Sequence, residues 1–397
     1  MFPRSMDRRT LLKAALLLAT APGARRLEAV SVRGPGSEPE LVPVRASWDR
    51  VVSTVVGLRP HRAAGFLVRA EKLDARTVVH NYGHGGAGMS LAWGTAALAA
   101  DLALPHDHRR AAIVGCGAVG LTTARQLQRR GFDVTIYAAA MPPHTTSNMS
   151  MATFSPASGL VDAGRRTPAW DAQFRQAAVI AYRELVEMVG PSSGVSWTEN
   201  YHATNELDAP PTRRQRDEHR LLSVLPDYLH PARGREVLGP GEHPFPAKYA
   251  VRTMALSIDP AIHLEALIRE VTGAGGRITL RTFATPRDLM TLDEPVIVNA
   301  TGLGAAALFG DPSVVPVKGQ LTLLAPQPEV GYRVSARLAR GVIVGMHPRR
   351  DGIVLGNLQD RGNWSLEPDE DVRQWMVDSA ISFFAAMKPA AALHPVS

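Results

Sequence analysis

The stretch Val78–Ala96, VVHNYGHGGAGMSLAWGTA, decides the fold. A β-branched pair leads into His80, and Asn81-Tyr82-Gly83 turns the chain. Gly85, Gly86 and Gly88 then open a helix-like run from Met89 to Leu102. Glycines clustered where a strand passes into a helix let the backbone approach a ligand and aim free N–H groups at negative charge. A short polar linker, Leu104–Arg110, separates this turn from a second one, VGCGAVG (Val114–Gly120). The apolar strand Ala111–Val114 precedes that turn. The helix Ala118–Arg130, a Gly131 stop and the strand Val134–Tyr137 follow it, which is the pattern of a βαβ unit. In the spacing GxGxxG, Gly115 allows the tight turn, Gly117 lets a pyrophosphate approach, and Gly120 lets helix and sheet pack. Two anion-receptive turns so close in sequence predict one large cofactor held at two ends.

The run from Val78 resembles the signature of the D-amino-acid oxidase family of flavoenzymes. The apolar pair, His80, Asn81, Tyr82, Gly83, the Gly85-Gly86 pair, Gly88, Gly94 and Ala96 all match at fixed spacing. GLRPHR (Gly57–Arg62) is similar to another late segment of that family. In the family both segments follow the nucleotide fingerprint; here both precede it. The resemblance, spanning roughly residues 48–385 and thin across the second lobe, therefore implies a circular permutant, reasonable where chain ends lie close together at the surface. It implies an α/β fold: a Rossmann-type FAD-binding domain with a parallel sheet, and a smaller substrate domain with a mixed or antiparallel sheet. The expected partition is 48–165 with 245–317 for FAD, and 166–244 with 318–397 for substrate. Within these, Asp259–Thr272 reads as a helix capped by Asp259, and Pro295–Thr301 as a buried strand.

Composition limits the alternatives. At 397 residues and 45% hydrophobic, the chain can bury a core of two lobes. The net charge of +7 suggests nucleic acid until it is located. Arg4, Arg8, Arg9, Lys13, Arg25 and Arg26 stand against Asp7 within the first 26 residues, so the body is near neutral and has no basic stripe with interleaved aromatics. The same segment, with its short apolar run Ala14–Ala21 after Arg8-Arg9, reads as a twin-arginine export signal (1–26) followed by a linker (27–47). No long apolar run follows, so no membrane span is expected. Cys116 is the only cysteine, so no intrachain disulfide forms.

The resemblance also implies site residues. Gly85, Gly86, Gly88, Met89 and Ser90 would form the flavin end, with the helix dipole pointing at the flavin pyrimidine. Gly115, Gly117, Ala118, Val119 and Gly120 would hold the pyrophosphate. In PPHTTSNMSMATFSP, Thr145, Thr146 and Ser147 fall on three hydroxyl positions facing it, and Met151, Ala152 and Thr153 fall where relatives line the flavin ring. Phe283 would reach the adenine, and Thr301 and Gly302 the flavin. The acid that would bind a ribose is missing: Ala138-Ala139-Ala140 occupies that place, a loss of a hydrogen bond or two at ~0.5–1.5 kcal/mol each. No metal site is expected.

Arg59 matches the family's arginine for a substrate α-carboxylate, which a planar guanidinium can grip through two parallel hydrogen bonds. Ser155 falls where relatives carry a polar residue near substrate. The family's two pocket tyrosines fall on Ile343 and on Gly345 or His347, and no tyrosine occurs in this segment. Either the substrate is not a plain D-amino acid, or another group such as His347 or Arg349 supplies the contact. The expected function is an exported FAD-dependent oxidoreductase acting on the C–N bond of a small-molecule D-amino acid or related amine. Hydride would pass to the flavin and oxygen would reoxidise it. A dehydrogenase using another electron acceptor, or a catalytically degenerate FAD-binding protein, are the alternatives.

Overall fold

The computed structural model describes residues 41–151, 153–230, 234–338, 343–356 and 359–388. The expected export signal, most of the linker and Ala152 lie outside the described residues.

The chain opens with β1 (Val51–Arg62), the hairpin β2 (Leu67–Leu73) and β3 (Arg76–Tyr82), and helix α1 (Gly88–Ala103). The nucleotide-turn unit follows as β4 (Arg110–Val114), α2 (Ala118–Gln128) and β5 (Asp133–Ala138), and then α3 (Pro168–Glu187), β6 (Val195–Thr204) and α4 (Arg213–Leu222). Next come β7 (Glu236–Leu238), β8 (Tyr249–Ile258), α5 (Pro260–Gly273), β9 (Arg277–Leu280), β10 (Val296–Asn299) and α6 (Gly304–Leu308). The chain continues through β11 (Val314–Leu324), β12 (Tyr332–Arg337), β13 (Ile343–Arg349), β14 (Gly352–Gly356), β15 (Asp360–Arg361) and α7 (Glu370–Ala385).

Six strands form a sheet in the order β2-β3-β10-β4-β5-β9, parallel except for β2. Its inner strands are apolar almost without interruption because both faces are covered. On one face Val79, Ile113 and Val134 pack with residues of α1, α2, α3 and α5; on the other Val78, Ala112 and Ile297 pack with Leu289 and Leu308. Gly94 sets the crossing of α1 on α3: a Cβ there would lie 2.7 Å from Ala177 Cα and overlap its carbonyl. Asp259 caps α5 as expected, accepting from the Ala261 and Ile262 amides at 2.9 and 3.3 Å.

The second sheet has nine strands, in the order β1-β11-β14-β13-β12-β6-β8-β7 with β15 on β11. It is the larger of the two, not the smaller. The expected partition at 165/166 also fails to follow the strands. β1 and β8 belong to this sheet, whereas α3 belongs to the nucleotide-binding core. One face of the sheet is covered by α7, with Tyr332, Val334, Ala336, Val344 and Met346 against Phe383 and Phe384. Alternation along a strand then turns Arg333 and Ser335 of β12, and Gly345 and His347 of β13, to the opposite side.

Candidate functional site

The site is a cleft of about 540 Å³ that runs from the nucleotide turn to the nine-stranded sheet. In the parallel sheet β10 alone separates β3 from β4. The turns after these two strands therefore sit roughly 10 Å apart at the carboxyl edge, two strand spacings. Both line the cleft, Gly85, Gly86, Gly88, Met89 and Ser90 from one and Gly115 through Val119 from the other. Neither helix has a hydrogen-bonded side-chain cap from its own N-cap residue, Ala87 for α1 and Gly117 for α2. Two helix starts thus present N–H groups and positive dipole ends to one cavity.

The glycines have separable duties. Gly115 has a φ of +116°, and a side chain there would strike the Ala300 carbonyl. At Gly120 a Cβ would overlap the Gly115 carbonyl. Gly117 is different: its added Cβ would meet only the Ser147 hydroxyl, at 3.0 Å, so this face is open to a ligand. Ser147 Oγ accepts from the Ala118 amide at 3.0 Å and fixes the first turn of α2. Gly85 (φ +53°) and Gly86 line the cleft, but the backbone of Gly159 and Ser158 is what excludes a side chain from them.

The signature residues His80, Asn81 and Tyr82 build the wall. Asn299 Oδ1 accepts from the Thr301 amide and hydroxyl at 3.2 and 2.7 Å, which orients the carboxamide so that Nδ2 donates to His80 Nδ1 at 3.1 Å. His80 Nε2 therefore carries the proton and donates to Glu71 at 3.0 Å. The bond from His80 holds the Glu71 carboxyl below its ordinary range, with Arg69 adding to the effect. Asn81 donates to Thr123 of α2 at 3.1 Å, and Tyr82 to Asp311 at 2.8 Å. This network places the turn Thr301-Gly302 on the cleft wall. His84 is buried, bonds Thr95 at 2.9 Å and stacks on Phe66. Burial pushes its pKa down to about 3, so it is neutral.

Of the remaining expected cofactor contacts, Thr145, Thr146, Ser147, Met151, Thr153 and Phe283 all line the cleft, while Gly120 packs behind it and Ala152 lies outside the described residues. Phe283 carries the Arg281 guanidinium over its ring at 4.8 Å and meets Tyr137 edge-on. The Ser90 hydroxyl is occupied by structure: it donates to the Thr153 carbonyl at 3.1 Å and accepts from the Ser155 amide at 2.8 Å. Thr153 Oγ1 is buried without a partner in this wall. Cys116 lies in the nucleotide turn, where burial pushes its thiol up to about 11.

At the sheet end, Arg59 projects from β1 and lines the cleft together with Ser155. Its guanidinium lies against Gly319, where a Cβ would come within 2.6 Å of Nη2 and 2.7 Å of Cζ. Burial, and then the neighbouring Arg214, lower its pKa to about 10, which leaves it charged at neutral pH. His347, expected at the substrate, is not on the cleft wall. It is 2% exposed, and burial followed by Arg333 and Arg349 keeps it neutral. Arg349 is turned away from substrate as well, bonded to Asp351 and to the carbonyls of Asn148 and Ser150. Sequence reasoning missed Arg214 and Arg333, both on the wall. Buried Tyr332, Val334 and Ala336 form the one signal for Arg333, since alternation puts it on the other face.

The cleft is lined by four arginines and, among the described residues, by no carboxylate. With two helix starts, an open face at Gly117 and an unpartnered hydroxyl at Thr153, it fits a dinucleotide diphosphate. The family model described as "FAD dependent oxidoreductase" matches residues 110–396, and the chain belongs to that family. It is 30% identical over 278 residues to the D-amino-acid oxidase of Streptomyces coelicolor, covering 70% of this chain and 77% of that protein. It is 28% identical over 265 residues to that of Rubrobacter xylanophilus, covering 66% and 72%. Among solved structures it is similar to iminodiacetate oxidase from Chelativorans sp. BNC1, with a TM-score of 0.51, 17% identity, and coverage of 70% and 79%. The protein is thus an FAD-dependent enzyme of the D-amino-acid oxidase type, with FAD as cofactor.

Proposed function

We propose that this enzyme oxidises the C–N bond of an α-amino acid or a related carboxylated amine, with Arg59 gripping the α-carboxylate. The observation that carries the reading is a charged, part-buried guanidinium held against Gly319 at the sheet end of the FAD cleft. When bound along the two glycine turns, FAD would supply a two-electron acceptor for a hydride from the substrate carbon, and dioxygen would be reduced to hydrogen peroxide. The amine loses its proton, and water hydrolyses the resulting imine to a keto acid and ammonia. The protein's own work is orientation and exclusion of water. Arg59 fixes the carboxylate, the Ser90–Thr153–Ser155 bonds tie the helix start to the substrate wall, and neutral His84 adds no competing charge beneath it.

The order of segments supports a permuted chain. The family match begins at Arg110, the first residue of β4, while β3 from upstream is a strand of the same parallel sheet and α1 packs on it. Export through the Arg8-Arg9 signal is part of the proposal; Arg8-Arg9→Lys-Lys should block it, and unchanged export would remove that part. For the chemistry, the purified yellow protein should bleach when a panel of D-amino acids, glycine and N-methyl amines is added without oxygen. Admitted oxygen should then restore the colour with stoichiometric peroxide. Recovery only with an added acceptor would make it a dehydrogenase. No bleaching by any amine would favour the non-turnover reading, which the absence of tyrosine between Arg340 and Asn357 motivates.

A further inference from the structure

Among the described residues, Arg333 is the one wall arginine without a hydrogen-bond or ion-pair partner. Its Nε is buried and unsatisfied. The others contrast with it. Arg214 pairs with Glu218 at 2.8 Å, Arg281 bonds Thr291 and covers Phe283, and Arg59 is held against Gly319. The groups that share its surroundings do not neutralise it. His347 beside it is kept neutral by burial, and Arg349, which also acts on His347, is already engaged with Asp351. An unpaired cation inside a low-dielectric cleft is costly unless an anion joins it. Burial lowers its pKa only to about 10, so it stays charged and waits for a counter-ion.

Arg333 and Arg59 rise from one sheet, on β12 and β1, with β11, β14 and β13 between them. Four strand spacings, roughly 19 Å, separate their backbones, so a single carboxylate does not serve both. Gly345, two residues along the neighbouring strand from His347, adds no side chain on that side of the sheet. The approach is cationic too. A second cavity shares Arg59, Gly86, Arg214 and Gln359 with the cleft, and Arg213, Arg216, Arg220 and Arg361 outnumber Asp162, Asp217 and Glu218 on it.

We infer that the substrate is an amino dicarboxylate: Arg59 takes the α-carboxylate and Arg333 seats a second carboxylate, carried on the side chain or on the amine nitrogen. This rests on the reading of Arg59 above, and the test separates the two. Calorimetric titration of the holoenzyme with non-oxidisable malonate, succinate and glutarate should give at least one dicarboxylate binding ten-fold or more tighter than propionate or butyrate. Arg333→Met should abolish that advantage and leave the monocarboxylates unchanged, with Arg333→Lys intermediate. Arg59→Met should weaken both classes. A dicarboxylate advantage that is missing, or that survives in Arg333→Met, overturns the inference. If Arg333→Met does not fold, Arg333→Lys decides, since loss of the planar fork should still reduce the ratio several-fold. Anaerobic reduction then locates the second acid. D-aspartate or D-glutamate should outpace the matching amide if it is on the side chain, and iminodiacetate should outpace N-methylglycine if it is on nitrogen. Dicarboxylate binding without flavin reduction by any amine would sink the oxidation reading and leave the anion site standing.

Discussion

The Arg59 guanidinium lies flat against the backbone of Gly319, and no side chain fits beneath it. Gly319 is register-paired with Gly57 across β1 and β11, and a Cβ at Gly57 would in turn fall 2.7 Å from Met149 Cβ. A pair of glycines thus lets an arginine and a methionine loop occupy space that two ordinary strands would fill.

Gly319→Ala should therefore displace the guanidinium while leaving the sheet and FAD in place. The methyl would force Arg59 off the geometry that two parallel hydrogen bonds to a carboxylate need, a loss of about 1.5–3 kcal/mol if one of the two charged bonds fails. The half-saturating substrate concentration should rise roughly ten-fold to a hundred-fold by that scale, with the flavin spectrum intact. Anaerobic titration of flavin reduction measures it. Unchanged saturation would mean that Arg59 does not hold the carboxylate.

Gly117 and Gly120 should separate binding from folding. At Gly117 the backbone is extended, with a φ of −82°, and only the movable Ser147 hydroxyl stands near an added Cβ. Gly117→Val should give a folded protein near wild-type thermal stability that purifies colourless. At Gly120 the obstacle is the Gly115 carbonyl, which cannot move without breaking the turn. Gly120→Val should lose soluble expression or several kcal/mol, on the order of a severe overpacking. Thermal melts with and without added FAD distinguish the two.

That contrast marks what the sequence made legible. The roles of Gly115, Gly117 and Gly120 follow from spacing alone because the turn that needs them is seven residues long, although Ala300 and Ser147 from distant segments close in on two of them. His80, Asn81 and Tyr82 were equally conspicuous, yet their work was not. Their partners Glu71, Asn299, Thr123 and Asp311 are scattered over 240 residues, and only the parallel pairing of β3 with β10 brings His80 to Asn299. The size of the second sheet was hidden for the same reason, since β1 pairs with β11 across the length of the chain. Arg333 belongs to no motif. It becomes visible when α7 claims Tyr332 and Val334 and leaves it facing the cleft.

The Asn299–His80 contact should matter to both stability and cofactor. Asn299→Leu removes the donor to His80 and both bonds that orient Thr301, leaving buried polar atoms unsatisfied at about 1–3 kcal/mol each. The variant should melt several degrees lower and release FAD at lower dilution, because the Thr301-Gly302 turn loses its anchor. Equilibrium dialysis of the flavin alongside a melt checks both. A lowered melt with unchanged flavin affinity would confine the contact to a structural role.

Acid should destabilise this protein earlier than its carboxylates alone would. His84, His263 and His347 are buried, and burial depresses the pKa of each below 6.5, His84 to about 3. Between 6.5 and the native value the unfolded chain takes up protons that the native chain refuses. Stability is therefore fully present above 6.5 and lost as pH falls through that window. His84→Gln retains a donor toward Thr95 without the titration, so its stability should decline less steeply from pH 6.5 to 4.5 than that of the parent. Denaturant unfolding at stepped pH reads the difference, and parallel curves would show that His84 does not titrate on unfolding.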